Sequence, residues 1–351
     1  MAAIPEPLHQ TRGMIFKWYE DRNMAEPMRP YLGASIIGHP CRRYLWLSFR
    51  WAFKPSFKGQ LLRLFGTGHR EESRIVEELR GIGCQVWETD LNTNKQFEII
   101  DCDGHFRGHL DGKALGLPEA PFTVHVLEFK THNTKSFNVL KSKKVREAKP
   151  MHWYQMQVYM LRTKLDRAMY IAVCKDTDDI YTERVEIDYK EANAMIDKAR
   201  AIIEMGEPPA RIHEDPSWFQ CKTCDMHSLC HGTDAPLPNC RTCAHSTPAE
   251  EGEWVCEKYN CIIPLDNQAH GCDSHRYIPV LLDRFAEMTD VTDDGEVEYA
   301  NKISGHKFVN GSPTSGFLSR EIHACKDKAA LGDPSLAKLR GDIGLDSEVV
   351  G

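Results

Sequence analysis

The chain has 351 residues, 41% of them hydrophobic, with 13 cysteines and a formal net charge of −7 at pH 7. That length allows about two domains and that composition supplies a sizeable core, while the longest apolar runs fall far short of a membrane span, so a transmembrane protein is excluded from the expectations. Met1-Ala-Ala-Ile-Pro-Glu6 offers neither a basic n-region nor an apolar h-region, so no signal peptide is predicted.

A helical segment is expected over roughly 8–22, and a second helix near Ser35, whose hydroxyl is suited to cap it. A basic stretch then interleaves Arg42, Arg43, Arg50, Lys54 and Lys58 with Tyr44, Trp46, Phe49, Trp51, Phe53 and Phe57. Such a stretch either follows a nucleic-acid backbone with its aromatics stacked on bases or buries its aromatics as a stripe, and burial is the leading reading. Leu61, Leu64, Phe65, Ile75, Val76 and Leu79 recur at helical spacing over about 59–80, a segment that also carries His69. Strands are predicted near 84–88, 97–101, 105–111 and 122–130. Helices over 136–144 and 151–163 follow, then strands over 168–174 and 181–187 and a helix over 191–204, which Gly206 and Pro208-Pro209 terminate. This order implies an α/β core in which a mixed sheet is flanked by helices.

Two of these strands carry the chemistry. One ends in Arg107-Gly-His-Leu-Asp111, and the other is Phe122-Thr-Val-His-Val-Leu-Glu-Phe-Lys130, rich in β-branched and aromatic residues. Period-two alternation sets Glu128 and Lys130 on one face and Phe129 on the other. Carboxylates from neighbouring strands chelate a hard divalent cation, and a lysine two residues from one of them can orient or deprotonate an attacking water. A solvated strand face is the plain alternative. In the helix over 151–163, the i,i+4 spacing aligns Gln155 with Tyr159. Between Lys130 and Lys149 the only acid is Glu147, so Lys135, Lys141, Lys143 and Lys144, with Arg43 from the earlier basic stretch, are candidate DNA contacts despite the negative total charge.

His69, Asp111, Glu128-x-Lys130 and Gln155-x3-Tyr159, set between an early Cys41 and a late Cys221-x2-Cys224-x5-Cys230, resemble the PD-(D/E)XK nuclease superfamily. Within it the arrangement is similar to the RecB-like iron–sulfur exonucleases, which include CRISPR-associated RecB-like exonucleases and the nuclease domain of AddB. The likeness spans about 35–231. It implies that His69, Asp111, Glu128 and the Phe129 carbonyl bind Mg2+ or Mn2+, and that Lys130 is the catalytic lysine. Gln155 and Tyr159 would hold the active-site side toward the DNA strand, and Cys41, Cys221, Cys224 and Cys230 would carry a [4Fe-4S] cluster tying the start of the domain to its end. Thiolates alone do not separate iron–sulfur from zinc, so a four-cysteine zinc site remains the alternative. His109-Leu110 stands before Asp111 where the superfamily name promises a proline, with Gly108 in a position that many RecB-like members also give to glycine.

Residues 1–34 are read as an N-terminal helical segment, 35–231 as the nuclease domain and 232–239 as a Pro-containing linker. A cysteine-rich module over 240–282 contains Cys240-x2-Cys243-x12-Cys256-x4-Cys261-x10-Cys272-x2-His275, more ligands than one tetrahedral zinc needs. Zn2+ on Cys240, Cys243, Cys256 and Cys272 is expected, with Cys261 and His275 as competitors. The tail over 283–351 is read as a hairpin, a helix over about 317–330 and a frayed end. Cys84, Cys102, Cys174 and Cys325 default to buried thiols.

The expected function is metal-dependent exonuclease action on DNA ends, in phage or bacterial recombination or repair. The expected compartment is the cytoplasm, that of the host if the protein is phage-encoded. The alternatives are a structure-specific endonuclease and a catalytically silent DNA-binding scaffold; an intact Asp111, Glu128 and Lys130 argue against the scaffold. With no Walker A pattern, any unwinding would come from a partner helicase or recombination protein.

Overall fold

The strand-forming runs on either side of the basic segment become the centre of the main sheet. The computed structural model describes residues 10–232, 234–325 and 332. In chain order it contains α1 (Gln10–Ala25), β1 (Leu32–Gly33), α2 (Arg42–Phe49), α3 (Gly59–Gly81), β2 (Gln85–Trp87), β3 (Glu98–Asp101), β4 (Phe106–His109), β5 (Gly112–Leu115) and β6 (His125–His132). Then follow α4 (Thr134–Ala148), α5 (Pro150–Thr163), β7 (Arg167–Cys174), β8 (Ile180–Glu186) and α6 (Tyr189–Glu204).

The main sheet has the order β2-β5-β6-β7-β8, with β6 and β7 parallel and the other pairs antiparallel. Parallel neighbours need a crossover, which α4 and α5 supply. β4 pairs with β1 and β3 in a separate three-stranded sheet. Alternation along β6 sends Leu127 and Phe129 to the side of Ile75, Val76 and Leu79 of α3. Val126 goes to the opposite side, with Met156 of α5 and Ile196 of α6. Glu128 and Lys130 share that second face, so the sheet buries the Glu128 carboxyl.

Three elements depart from expectation. No helix runs on from Ser35: only a single 3-10 turn forms at Ala34–Ile36, and the helix begins at Arg42 with the Cys41 sulfur accepting from the Tyr44 N–H. Pro40 explains the break, because its ring disfavours helical geometry at His39 and it has no N–H to donate. The strand expected to reach Asp111 stops at His109, and Gly112–Leu115, whose composition favours no strand, pairs into the main sheet as β5. Asp111 therefore sits at the corner where the chain passes from one sheet to the other. Trp46, Phe49 and Trp51 are buried, in line with the aromatic-stripe reading.

Beyond the short helices α7 (Phe219–Lys222) and α8 (His227–His231), the cysteine-rich segment forms the antiparallel strands β9 (Ser246–Pro248), β10 (Trp254–Cys256) and β11 (Cys261–Ile262), followed by α9 (Leu265–Gln268). A third sheet of β12 (Ala286–Val291), β13 (Val297–Asn301) and β14 (Lys307–Asn310) precedes α10 (Ser319–Ala324). The rest of the helix expected to 330, and the frayed end, lie outside the described residues apart from Gly332.

These segments are packed against the preceding domain across a continuous apolar core that includes Phe49, Trp254, Tyr277 and Tyr299. Arg241, between the first two module cysteines, is wholly buried. It donates to the carbonyls of Phe49 (3.1 Å) and Pro30 (3.0 Å) and to Gln268 Oε1, and lies 3.7 Å from the centroid of Trp51. Arg50 reciprocates by donating to the Arg241 and Ser246 carbonyls. Among the described residues no helix is long and apolar enough to cross a membrane.

Candidate active site

Glu128 enters the core because β6 is central and covered on both faces. It is 0% exposed, and neither carboxylate oxygen has a well-formed hydrogen bond, although Lys130 Nζ makes an ion pair with Oε1. Lys130 also donates to the Phe129 carbonyl (2.9 Å), and the Phe129 N–H donates to Asp111 Oδ2 (2.7 Å). The corner and the strand are thereby locked together, with both acids beside the lysine. Burial pushes the Glu128 carboxyl up to about 8, against Lys130 and with help from Asp111 and Glu72. Burial opposes the Lys130 ammonium too, but Glu128 and Asp111 raise it above the ordinary lysine range.

Glu72 was not anticipated from the sequence. It stands three residues after His69, hence on the same face of α3, and its carboxyl is raised by burial and by Asp111, against His69 and Lys130. That spacing from His69 was the available signal. His69, Glu72, Phe129, Lys130 and Lys175 line a cleft of about 350 Å³ at the edge of the main sheet. Among the described residues, no three His, Cys, Asp or Glu side chains stand as a closed metal cage. The expected ligands instead border the cleft at His69 and lie behind Lys130 at Asp111 and Glu128.

Gln155 and Tyr159 are both buried. Gln155 donates to Tyr159 Oη (3.1 Å), and the Tyr159 hydroxyl donates to the His109 carbonyl (2.8 Å), two residues before Asp111. They brace the corner from behind rather than face a strand of DNA. The brace requires Gly108, where a Cβ would come within 2.6 Å of Tyr159 Cε1 and 2.7 Å of Ala34 Cβ.

Of the candidate DNA contacts, Arg43 is half-buried and donates to the Pro209 carbonyl (3.0 Å). Lys141 pairs with Asp179 (3.0 Å) and Lys143 with Glu147 (2.7 Å), while Lys135 and Lys144 are exposed without an ion pair among the described residues. Lys149 donates to Ser136 Oγ. The basic run is thus less cationic in three dimensions than along the chain.

No disulfide joins any of the 13 cysteines. Cys41, at the start of α2, is close enough to Cys221 and Cys224 for each to feel its charge, and Cys230 acts on both as well. The early cysteine and the late triplet thus lie in one neighbourhood, although among the described residues no three of them stand as a metal-binding group. A second group, Cys240, Cys243, Cys256 and Cys272, lines a cavity of about 20 Å³ together with His245 and His275. Cys240 is pushed up to about 12, chiefly by burial and then by its neighbouring cysteines. Cys261 is exposed and does not line the cavity; His275 does, but its Nε2 lies 2.9 Å from the Asn239 carbonyl. Cys84, Cys102, Cys174 and Cys325 are buried as expected.

Glu128 has a pH consequence. Its carboxyl is raised in the fold above the ordinary value of 4.5, so it contributes stability that is complete below about 4.5 and lost as pH rises through about 8. With divalent ions chelated, Tm is expected to fall between pH 5 and 8, and Glu128→Gln should flatten that part of the profile. A slope identical in both proteins would place the titration elsewhere.

No family model matches the chain, and no curated protein matches it. Among solved structures it is similar to the crystal structure of SSO0001 (13% identity, 63% of this chain and 96% of that chain, TM-score 0.39). It is also similar to an alkaline exonuclease, LHK-Exo, from Laribacter hongkongensis (16% identity, 53% and 90% of the two chains, TM-score 0.34). The same exonuclease in complex with dAMP gives 15% identity, 53% and 89% coverage and a TM-score of 0.35. Likeness at this level carries no argument, and the functional reading rests on the site itself.

Proposed function

We propose that the protein is a divalent-metal-dependent DNA nuclease of the PD-(D/E)XK type that acts as an exonuclease on strand ends. The observation that carries this reading is Glu128, a fully buried carboxylate without a well-formed hydrogen bond, held beside Asp111, Glu72 and Lys130 at an open cleft. Glu128 is buried and Asp111 and Glu72 are half-buried beside it, and acids grouped in this way hold on to protons unless a cation compensates them. Hard oxygen donors with an imidazole nearby suit Mg2+ or Mn2+, held by His69, Asp111, Glu128 and the Phe129 carbonyl.

When bound, such an ion activates water and withdraws charge from a phosphodiester. The protein's own residues do the rest. Lys130, kept as an ammonium by Glu128 and Asp111, orients the water as its oxygen attacks phosphorus; the phosphodiester P–O bond breaks, the water's proton passes to solvent, and the leaving oxygen takes a proton from solvent. Asp111 is held by the Phe129 N–H, and Tyr159 steadies the backbone leading to it. For Cys41, Cys221, Cys224 and Cys230 we assign a [4Fe-4S] cluster, and for Cys240, Cys243, Cys256 and Cys272 a Zn2+; sulfur donors suit both groups.

End-labelled linear and circular single-stranded DNA, incubated with Mg2+ or Mn2+ and with chelator, test the reading. An exonuclease degrades the linear strand and spares the circle. Cutting of the circle assigns endonuclease action, and an uncut linear strand in every metal overturns the proposal. Metal analysis of anaerobically purified protein should find about four irons and one zinc per chain; zinc alone would reassign the first cysteine group.

A further inference from the structure

The cleft in front of Lys130 has two unlike walls. One is the edge of α3, where Leu64 and Phe65 are 37% and 45% exposed. Phe65 precedes His69 by one helical turn, so its ring stands beside the imidazole on the same face. Phe57 meets that ring edge-on, with centroids 5.5 Å apart and planes at 81°, and supports it without covering it. The opposite wall carries Lys130, Thr131 and Lys175. Lys130 is paired with Glu128, whereas Lys175 makes no ion pair among the described residues.

Isolated exposed aromatics are ordinary on protein surfaces. This one shares a cleft of about 350 Å³ with His69, Glu72 and an unpaired cation, in front of the acids that lie behind Lys130. A flat apolar surface facing a cation across such a gap matches the two halves of one nucleotide, a base with a π-face and a phosphate with a negative charge.

We propose that Phe65 and Lys175 form a nucleotide subsite, and that the substrate enters as an unpaired strand. The base beside the scissile phosphate stacks on Phe65, and Lys175 meets a neighbouring phosphate. Inside a duplex each base is covered on both faces by its neighbours, so only an unpaired nucleotide offers a face to the ring. This inference rests on the nuclease reading above and names the substrate class of that site.

Two measurements test it. In steady-state cleavage of linear single-stranded DNA, Phe65→Ala should raise KM by roughly 5- to 100-fold, the range that base–aromatic stacking spans, with little change in kcat, while Phe65→Trp stays near the wild type. Lys175→Ala should raise KM and make it less dependent on salt. In EDTA, where turnover is absent, a single strand with 2-aminopurine at its end should be quenched by the wild type and by Phe65→Trp but not by Phe65→Ala. Phe65 is largely exposed, so its truncation removes little buried contact, and Phe65→Leu, which keeps the apolar bulk without the ring, should behave like Phe65→Ala. An unchanged KM in Phe65→Ala, or equal cleavage of blunt duplex and single strands by the wild type, overturns the subsite. Failure of the nuclease reading looks different: the wild type then cleaves nothing in any metal, and quenching that depends on Phe65 still reports the subsite.

Discussion

Asp111→Ala, Glu128→Ala and Lys130→Ala are each expected to lower cleavage of linear DNA by at least ~100-fold, because each removes a metal ligand or the group that orients the water, and so acts on the transition state. The stability effects should diverge. Asp111→Ala frees the Phe129 N–H and loosens the corner between the two sheets. Lys130→Ala leaves Glu128 buried without its ion pair and should be the least stable of the three. Glu128→Gln keeps the shape of the side chain and removes the acid that the fold must hold protonated, so without metal at pH 7 it should be as stable as the wild type or more so, while being inactive. Paired measurement of turnover and chelator Tm checks this, and a Glu128→Gln protein with wild-type turnover would remove the proposed site. A destabilised Glu128→Gln would show that the buried carboxylate has partners it cannot spare.

Arg241→Ala should be the most damaging substitution outside the active site. It would strip the bond donors from the carbonyls of Phe49 and Pro30 and from Gln268 Oε1, and remove a guanidinium stacked on Trp51. Each buried acceptor left unpaired costs roughly 1–3 kcal/mol, so a loss on the order of 3–5 kcal/mol is expected. Burial, with Arg50 nearby, pushes this guanidinium down to about 9, so it remains charged at pH 7, and no carboxylate pairs with it among the described residues. Arg241→Lys should rescue little, because an ammonium cannot reproduce the planar fork or the stacking. Chemical denaturation reads the loss directly. A change below about 1 kcal/mol would mean that water takes over these acceptors and that the cysteine-rich segment is held mainly by its apolar contacts. A large loss would also mean that truncation after the linker exposes Phe49 and Trp51 and unfolds more than the segment it removes.

Much of this protein was legible in the sequence. The period-two run at Glu128–Lys130 and the i,i+4 pair Gln155 and Tyr159 sit on the elements expected of them, because local alternation and helical spacing fix which face a side chain takes. The short spacings kept Cys221, Cys224 and Cys230 together, and likewise Cys240 and Cys243, while the approach of Cys41 from the far end of the domain is a tertiary feature. Tertiary structure decided the rest. Asp111 lies at a corner between two sheets instead of within a strand, because β5 is too weak in its own propensity to be seen and forms by pairing with β2 and β6. Glu72 joins the site only because α3 packs on β6, and Lys141, Lys143 and Arg43 gain the partners Asp179, Glu147 and the Pro209 carbonyl, two of which come from segments distant in the chain. Arg241 reads as a surface charge between two cysteines and is wholly buried, since its partners come from Phe49, Pro30 and Gln268. A linear pattern records what a residue can do and which way its own element turns it, whereas its burial and its partners belong to segments distant in the chain.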